Sequence, residues 1–544
     1  MLFARQKTRR RSAERDAFAR TFAWLDGRLP AAEAGKGLLR KAFPDHWSFL
    51  LGELALYSFL VLLLTGVYLT LFFDPGMSES PYHGPYGPLR GVRMTDAYSS
   101  VLHISFEVRG GLLIRQIHHW GSVVFVAAIG VHLLRVFFTG AFRRPREINW
   151  AVGVTLFTLA LLEGFCGYSL PDDLLSGTGL RIAEGVMLSI PVVGTYLTFF
   201  AFGGEYPGMD IIPRLYVIHI LLVPGILIAL LVGHLILVVH LKHTHWAGRG
   251  KTNRNAVGQP MYPQFMAKST GLFFMVFAVL TLLGGLAQIN PVYDYGPYQT
   301  DQVSTASQPD WYIGFLEGSL RLMPPFETNL WGHTIMWNVL VPAVVLPGLI
   351  FLCLYAYPFF EKWVTGDTGE HHLCERPRNR PTRTGLGVSG VTFYAVLLLA
   401  GGNDVIAQTF DVSLNALTWT FRVCLVLAPP IAFIVTKRLC LALQDHDRKR
   451  LVEGDETGQI HQFVEGRMED EHVALSPSVH YTLLVRERPR PLQTSPAEGP
   501  RRRTERLRAA LSRWFYRDAV EMPATGDQRE EIAARMAGPS HDDR

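Results

Sequence analysis

The sequence predicts an all-α membrane protein with eight transmembrane helices, and three observations carry that reading. Hydrophobic residues make up 49% of the 544 and charged residues only 18%, with a mean hydropathy of +0.16 although both ends are charged. That is a membrane composition. Eight apolar stretches, near 48–73, 111–138, 150–168, 214–240, 270–288, 335–357, 385–402 and 416–443, reach the roughly 20 residues a helix needs to cross a bilayer. Lys and Arg alternate between the loops: 24 fall in 1–47, 139–149, 241–269 and 361–384, against five in 74–112, 171–213, 289–330 and 403–413. The positive-inside rule places the first set, and both termini, in the cytoplasm of a multi-pass plasma-membrane protein.

The remaining composition excludes other classes. Lys plus Arg (52) exceed Asp plus Glu (47) by too little, and too diffusely, for a nucleic-acid partner. Five cysteines form no CxxC pair, so a disulfide framework, a zinc cluster and a CxxCH haem attachment lack support. Metal chemistry must then come from the 19 histidines.

Taken in order, residues 1–47 are a basic cytoplasmic segment containing Arg9, Arg10 and Arg11, without the apolar core of a signal peptide. Residues 48–240 hold the first four spans and 241–443 the second four. In the outer loop 171–213, the apolar stretch Val186 to Phe202 is broken by Pro191 and Gly194. It reads as a helix or helix pair lying on the outer surface. Residues 444–544 are a polar cytoplasmic tail with proline-rich patches at Arg488 to Pro491 and Pro496 to Pro500, expected to be flexible or docked on a partner.

Four histidines stand inside two spans: His118 and His132 in the second, His219 and His234 in the fourth. At roughly 100° and 1.5 Å per residue, intervals of 14 and 15 leave angular offsets of about 40° and 60° and axial separations of roughly 21–23 Å. Each helix shows two imidazoles on nearly one face, too far apart to share a metal. Both helices run from outside to inside, so His118 pairs with His219 near the outer surface and His132 with His234 deeper. Two imidazoles at one depth on facing helices suit a bis-histidine haem, which makes the first four spans a haem-binding four-helix bundle. One membrane histidine alone reads as readily as a packing residue; four at matched depths do not. His119 is turned away from His132 by about 140°.

Gly52 and Gly66 on the first span are 14 apart, as are Gly153 and Gly167 on the third, and each lets a flat macrocycle approach the backbone. Helix packing is the ordinary alternative. Arg115 and Arg135, three residues outside His118 and His132, sit where they could neutralise haem propionates. Glu53 and Glu163 are carboxylates inside spans, costly unless paired or functional. His103, His243, His245, His371 and His372 lie in loops and receive no chemistry.

These residues resemble a known family, cytochrome b of the quinol–cytochrome c oxidoreductases (cytochrome bc complexes), over about 40–443. Leu112 to Ser122 (LLIRQIHHWGS), His132 to Arg135, Gly140 to Trp150 (GAFRRPREINW), Gly167 to Pro171 (GYSLP) and Ser189 to Gly194 (SIPVVG) carry the likeness. Pro309, Asp310, Trp311 and Tyr312 stand where the family has its PEWY quinol-site motif. The resemblance implies two non-covalent b-type haems, the outer on His118 and His219 and the inner on His132 and His234. It implies quinol, favouring menaquinol, oxidised at an outer site. One electron then goes to a Rieske iron–sulfur subunit, and the other crosses both haems to an inner quinone, which is the Q cycle. A c-type cytochrome subunit, a homodimer and a supercomplex with a terminal oxidase are the implied partners. The fused eight-helix chain, PDWY and the long tail resemble the actinobacterial kind.

Departures from the family are specific. Asp310 is one methylene shorter than the motif's Glu. The 15-residue interval with Pro224 resembles the photosynthetic branch, which tethers an extra haem through an early Cys; no Cys precedes Cys166, so two haems are expected. The inner site's aspartate position is Ser269, leaving His240, Lys242 and Lys268 as inner quinone candidates, with Glu53 as a proton donor. Two other readings stay open: a di-haem membrane anchor of a dehydrogenase, and a proton-coupled transporter with buried histidines.

Overall fold

The computed structural model describes residues 20, 23–24, 27–28, 31–248, 250–304, 308–485, 491–492, 503–528 and 530–531. The Arg9 to Arg11 run and, apart from Pro491, both proline-rich patches lie outside them. Among the described residues eight helices are long and apolar enough to cross a membrane: Trp47–Thr70, Gly111–Phe138, Glu147–Ser169, Ile211–Leu241, Met261–Leu286, Trp337–Thr365, Pro381–Gly401 and Leu414–Glu453. Each coincides with one predicted stretch. Large apolar side chains left outside the bundle, such as Leu64, Val67, Phe274, Leu286 and Val426, form the lipid-facing surface.

Helix ends depart from the apolar stretches where polar residues are good helix formers. The eighth helix has 40 residues, roughly 60 Å at 1.5 Å per residue and about twice the hydrocarbon thickness of a bilayer. Its last turns, with Asp445, Arg448 and Lys449, therefore project beyond the membrane. The fourth span has a different irregularity. Ile218–Leu222 forms a π turn just ahead of Pro224. Proline cannot donate to the carbonyl of Ile220, and the wider turn takes up one extra residue. The 15 residues from His219 to His234 thus turn like 14, which brings their offset down to about 40°.

Loops fall alternately on two faces. On the face bearing Asp310, a hairpin (Glu79–Pro81 with Arg93–Thr95), the helix Asp96–Phe106 and the surface helices Leu174–Leu188 and Gly194–Phe202 cover the span ends. The expected surface element is thus a helix pair. Its first member starts ahead of the apolar stretch because Asp173 accepts from the backbone of Leu175 and Ser176 in a capping box. On the opposite face, Ala42–Phe43 pairs with Gln259–Pro260 and His245–Trp246 with Leu373–Cys374.

Part of the tail is docked on its own chain. After the hairpin Asp455–Gln462 with Met468–Val473, the helix Arg503–Tyr516 packs on the spans. Trp514 stacks on Phe433, Arg508 donates to the Trp363 carbonyl, and Lys437 pairs with Asp518 at 2.6 Å. This corrects the expectation of a flexible or partner-held tail for these residues.

The bundle core is layered. Phe59, Val223 and Leu227 are buried against Leu63, Phe125, Leu156 and Leu159, midway between the glycine and histidine levels on all four helices. Near the Asp310 face, Asp172 is buried and accepts from the Thr95 hydroxyl at 2.8 Å. Burial pushes its carboxyl up to about 7. An acid whose pKa is raised by folding lends stability fully below its unfolded value of about 3.9, and loses it as pH rises through the folded value. The thermal midpoint should therefore decline between about pH 4 and 7 through this group, and Asp172→Asn should flatten that decline. An unchanged slope in the variant would remove Asp172 from the effect.

Candidate functional site

The second and fourth spans bring His118 and His219 face to face, with ring centroids 6.2 Å apart and ring planes at 77°. Two metal–nitrogen bonds of roughly 2.0–2.1 Å, with about 1 Å from each nitrogen to its ring centre, add to about 6 Å across one iron. The hydrogen bonds fix the tautomers. Thr65 Oγ1 donates to the Val61 carbonyl at 2.7 Å, so it can only accept from His118 Nδ1 at 2.9 Å. His219 Nδ1 lies 2.9 Å from the Glu163 carboxylate, which likewise accepts. With Nδ1 donating to these acceptors, each Nε2 keeps the lone pair a metal requires. Glu163 thereby has its partner.

At the second level His132 and His234 line a cavity of 570 Å³, within the range of ligand sites of roughly 300–1,000 Å³. Among the described residues their buried Nδ1 atoms have no partner at hydrogen-bond distance. Each predicted glycine stands behind one imidazole. A Cβ at Gly66 would lie 3.3 Å from His118 Cε1, at Gly52 3.1 Å from His132 Cε1, at Gly167 2.5 Å from His219 Cε1 and at Gly153 3.9 Å from His234 Cε1. Arg115 gives two 3.3 Å bonds to the Asn290 carbonyl, while Arg135 lies 4.2 Å over the Phe49 ring and reaches only Cys374 Sγ. The buried Nε of each is unpartnered. Unmet guanidinium donors are costly, and an acidic edge of a planar cofactor would satisfy them. Residues at both levels fit haem.

Asp310 lies in the loop between the fifth and sixth spans, ahead of the helix Gly314–Leu322. Its Oδ2 accepts from the Tyr312 hydroxyl at 2.8 Å and its Oδ1 from His119 Nε2 at 3.0 Å. Burial pushes its carboxyl up, but the bonds from His119 and Tyr312 outweigh that and hold it below the ordinary carboxylate range. Asp310 is thus a largely buried, ionised carboxylate. Tyr312 is 1% exposed, its hydroxyl filling the space a Cβ at Gly164 would occupy, whereas Trp311 is partly open. Pro309 opens the loop. His119, which periodicity only turns away from the paired imidazoles, is brought to Asp310. Its 100° step from His118 carries it to the next face, but no sequence pattern says which loop returns there.

The 570 Å³ cavity is also lined by Glu53, Tyr57, Ser269 and Lys242. Ser269 hydrogen-bonds Glu53 and Tyr57. His240 points outward, and Lys268 is an exposed partner of Asp45 at 2.8 Å, so neither lines it. His243 does, and burial pushes its pKa down to about 4, leaving a neutral ring. Sequence gave His243 no chemistry because it stands beyond the apolar stretch. His103 pairs with Glu107, and His245, His371 and His372 bond within the opposite face's loops.

Fold and site together define a multi-pass membrane cytochrome. A family profile described as cytochrome b (N-terminal)/b6/petB matches residues 123–297. The chain is 52% identical to the cytochrome bc1 complex cytochrome b subunit of Streptomyces coelicolor, covering 94% of this chain and 95% of that one. It is 51% identical to the Mycobacterium tuberculosis subunit of the same description, covering 90% and 88%. In structure it is similar to a chain of a hyperthermophilic respiratory complex III, with a TM-score of 0.56 and 22% identity over 76% of this chain and 98% of that one, a likeness of fold. The chain belongs to the cytochrome b subunits of cytochrome bc1 complexes, a family that carries b-type haem. Membership sets aside the dehydrogenase anchor and the transporter.

Gly167→Ala should force His219 aside and diminish one b-haem band in the reduced-minus-oxidised spectrum of the purified complex, while Gly153→Ala, with ordinary contact distance, should not. Identical spectra for the two variants would remove the glycine–imidazole packing as a requirement.

Proposed function

We propose that this chain is the di-haem, quinone-binding subunit of a respiratory quinol–cytochrome c oxidoreductase. The observation that carries this reading is the His118–His219 pair, whose Nδ1 atoms are engaged by Thr65 and Glu163 and whose ring centroids stand 6.2 Å apart, a spacing one iron spans. His132 and His234 hold the second haem. Arg115 and Arg135 meet the propionates, and Gly52, Gly66, Gly153 and Gly167 leave room for the four imidazoles that hold the cofactors. Bound there, two b-type haems supply one-electron transfer across the bilayer, joining quinol oxidation on one face to quinone reduction on the other.

The lysine and arginine distribution supports an outer Asp310 face, with both termini cytoplasmic. At that face the Pro309–Tyr312 loop receives quinol, which the family resemblance favours as menaquinol. Asp310, held ionised, takes a quinol proton, and Tyr312 and Trp311 wall the site. The 570 Å³ cavity supports the inner quinone site, where Glu53, relayed through Ser269 and Tyr57, supplies protons and Lys242 and His243 flank the ring. The reaction needs electron acceptors that this chain lacks. A Rieske iron–sulfur subunit and a c-type cytochrome supply them, in a homodimeric complex that can join a terminal oxidase. Residues 48–240 carry the haems and 241–443 the outer loop.

The purified complex should contain two b haems per copy of this chain. His118→Ala and His219→Ala should each remove one and the same haem, His132→Ala and His234→Ala the other. Asp310→Asn should keep both haems and slow quinol oxidation roughly a hundredfold or more. A stoichiometry of one haem would sink the four-ligand assignment, and undiminished turnover of Asp310→Asn would remove that carboxylate from the proton path.

A further inference from the structure

Asp310 is anchored from two elements at once. Tyr312, on its own loop, gives a hydroxyl proton to Oδ2 at 2.8 Å, and His119, on the second span, reaches Oδ1 at 3.0 Å. The His119 and Asp310 side chains are only 12% and 13% exposed, and the Asp310 carbonyl closes a turn by accepting from the Ile313 amide at 2.9 Å. One hydrogen bond would leave a carboxylate free to swing about its χ angles. Two bonds, one to each oxygen and from separate elements, fix both its position and its plane.

We propose that His119 is a positioning residue for quinol oxidation. Donating from Nε2, it holds the Asp310 carboxylate in the orientation that receives the quinol proton. The inference rests on Asp310 being that acceptor. Its physical content is preorganisation: the second span is a rigid transmembrane helix, whereas Asp310 stands on an irregular loop, and a short acid cannot be placed by its loop alone. Because His119 adjoins His118 in sequence, the same helix that holds an iron ligand also registers the proton acceptor.

The test uses the purified holo-complex with its partner subunits, reduced by 2,3-dimethyl-1,4-naphthoquinol, comparing His119→Leu, His119→Gln, Asp310→Asn and the His119→Leu/Asp310→Asn double variant. Loss of a hydrogen bond to a charged acceptor should lower kcat of His119→Leu about tenfold to a hundredfold with KM within about twofold. Both b-haem bands should stay in place. His119→Gln, which keeps an N–H donor, should retain about a third or more of kcat, and His119→Leu should cost nothing further on Asp310→Asn. Normal turnover of His119→Leu with a slow Asp310→Asn would overturn this inference alone. So would equal losses for Gln and Leu, full additivity in the double variant, or a lost haem band, which would mean that His119 supports the neighbouring ligand. Normal turnover of Asp310→Asn would instead overturn the reading beneath it.

Discussion

An imidazole in a bilayer can serve as a metal ligand only if one nitrogen is satisfied and the other is left bare, and the first four spans are arranged around that condition. In hydrocarbon a bare lone pair has no water to meet it, so the partner of Nδ1 decides what Nε2 can do. Thr65 meets the condition without charge, its own proton committed to the Val61 carbonyl. Glu163 meets it with a carboxylate, which would be expensive at this depth without the imidazole N–H facing it. Each carbon-lined surface then follows from the need to bring those rings together: glycines behind them, and Phe59, Phe125, Val223 and Leu227 as a dry layer between the two levels.

Periodicity reads which face of a helix a residue occupies, and that made the four histidines, the four glycines and the eight spans readable from the chain. It does not read what crosses from elsewhere. Thr65 is an unremarkable threonine until the second span is laid beside the first. His119 was assigned only a direction, because the Asp310 loop that meets it lies 191 residues later. The π turn at Ile218–Leu222 shows the converse case. The 15-residue interval was visible, but only the backbone shows that Pro224 widens the turn and returns the second imidazole to phase. Of the inner quinone candidates that the family resemblance offered, His240, Lys242 and Lys268, Lys242 lines the cavity, whereas side chains at a membrane boundary can reach outward to water, and His240 and Lys268 do.

The face opposite Asp310 solves a different problem. Arg383 is 1% exposed between the Glu361 and Glu375 carboxylates, and Arg143 and Arg380 also meet Glu375. Burial pushes the Glu375 carboxyl up, but its three guanidinium neighbours hold it well below the ordinary range. Such a cluster adds little net stability over apolar packing, yet removing one member leaves an uncompensated buried charge. It therefore specifies an arrangement more than it strengthens one: the loop after the second span, the end of the sixth span and the loop into the seventh meet in the register that pairs these charges. The docked helix Arg503–Tyr516 adds Tyr516 beside Arg380, extending this specification into the tail.

The two imidazole levels are not equivalent, and their difference follows from what lies beside them. At the Asp310 level both Nδ1 atoms are tied, and the site's neighbour is a carboxylate itself held at both oxygens. At the other level the Nδ1 atoms have no partner at hydrogen-bond distance among the described residues, and the imidazoles open on a cavity shared with Glu53, Tyr57 and Ser269. A tied site fixes geometry before any ligand arrives. A roomy one leaves the orientation of its rings to be set by what it binds. The first arrangement suits a step in which a proton acceptor must be placed before quinol is oxidised. The second suits a chamber in which one wall is the cofactor itself and the other must admit and release a quinone.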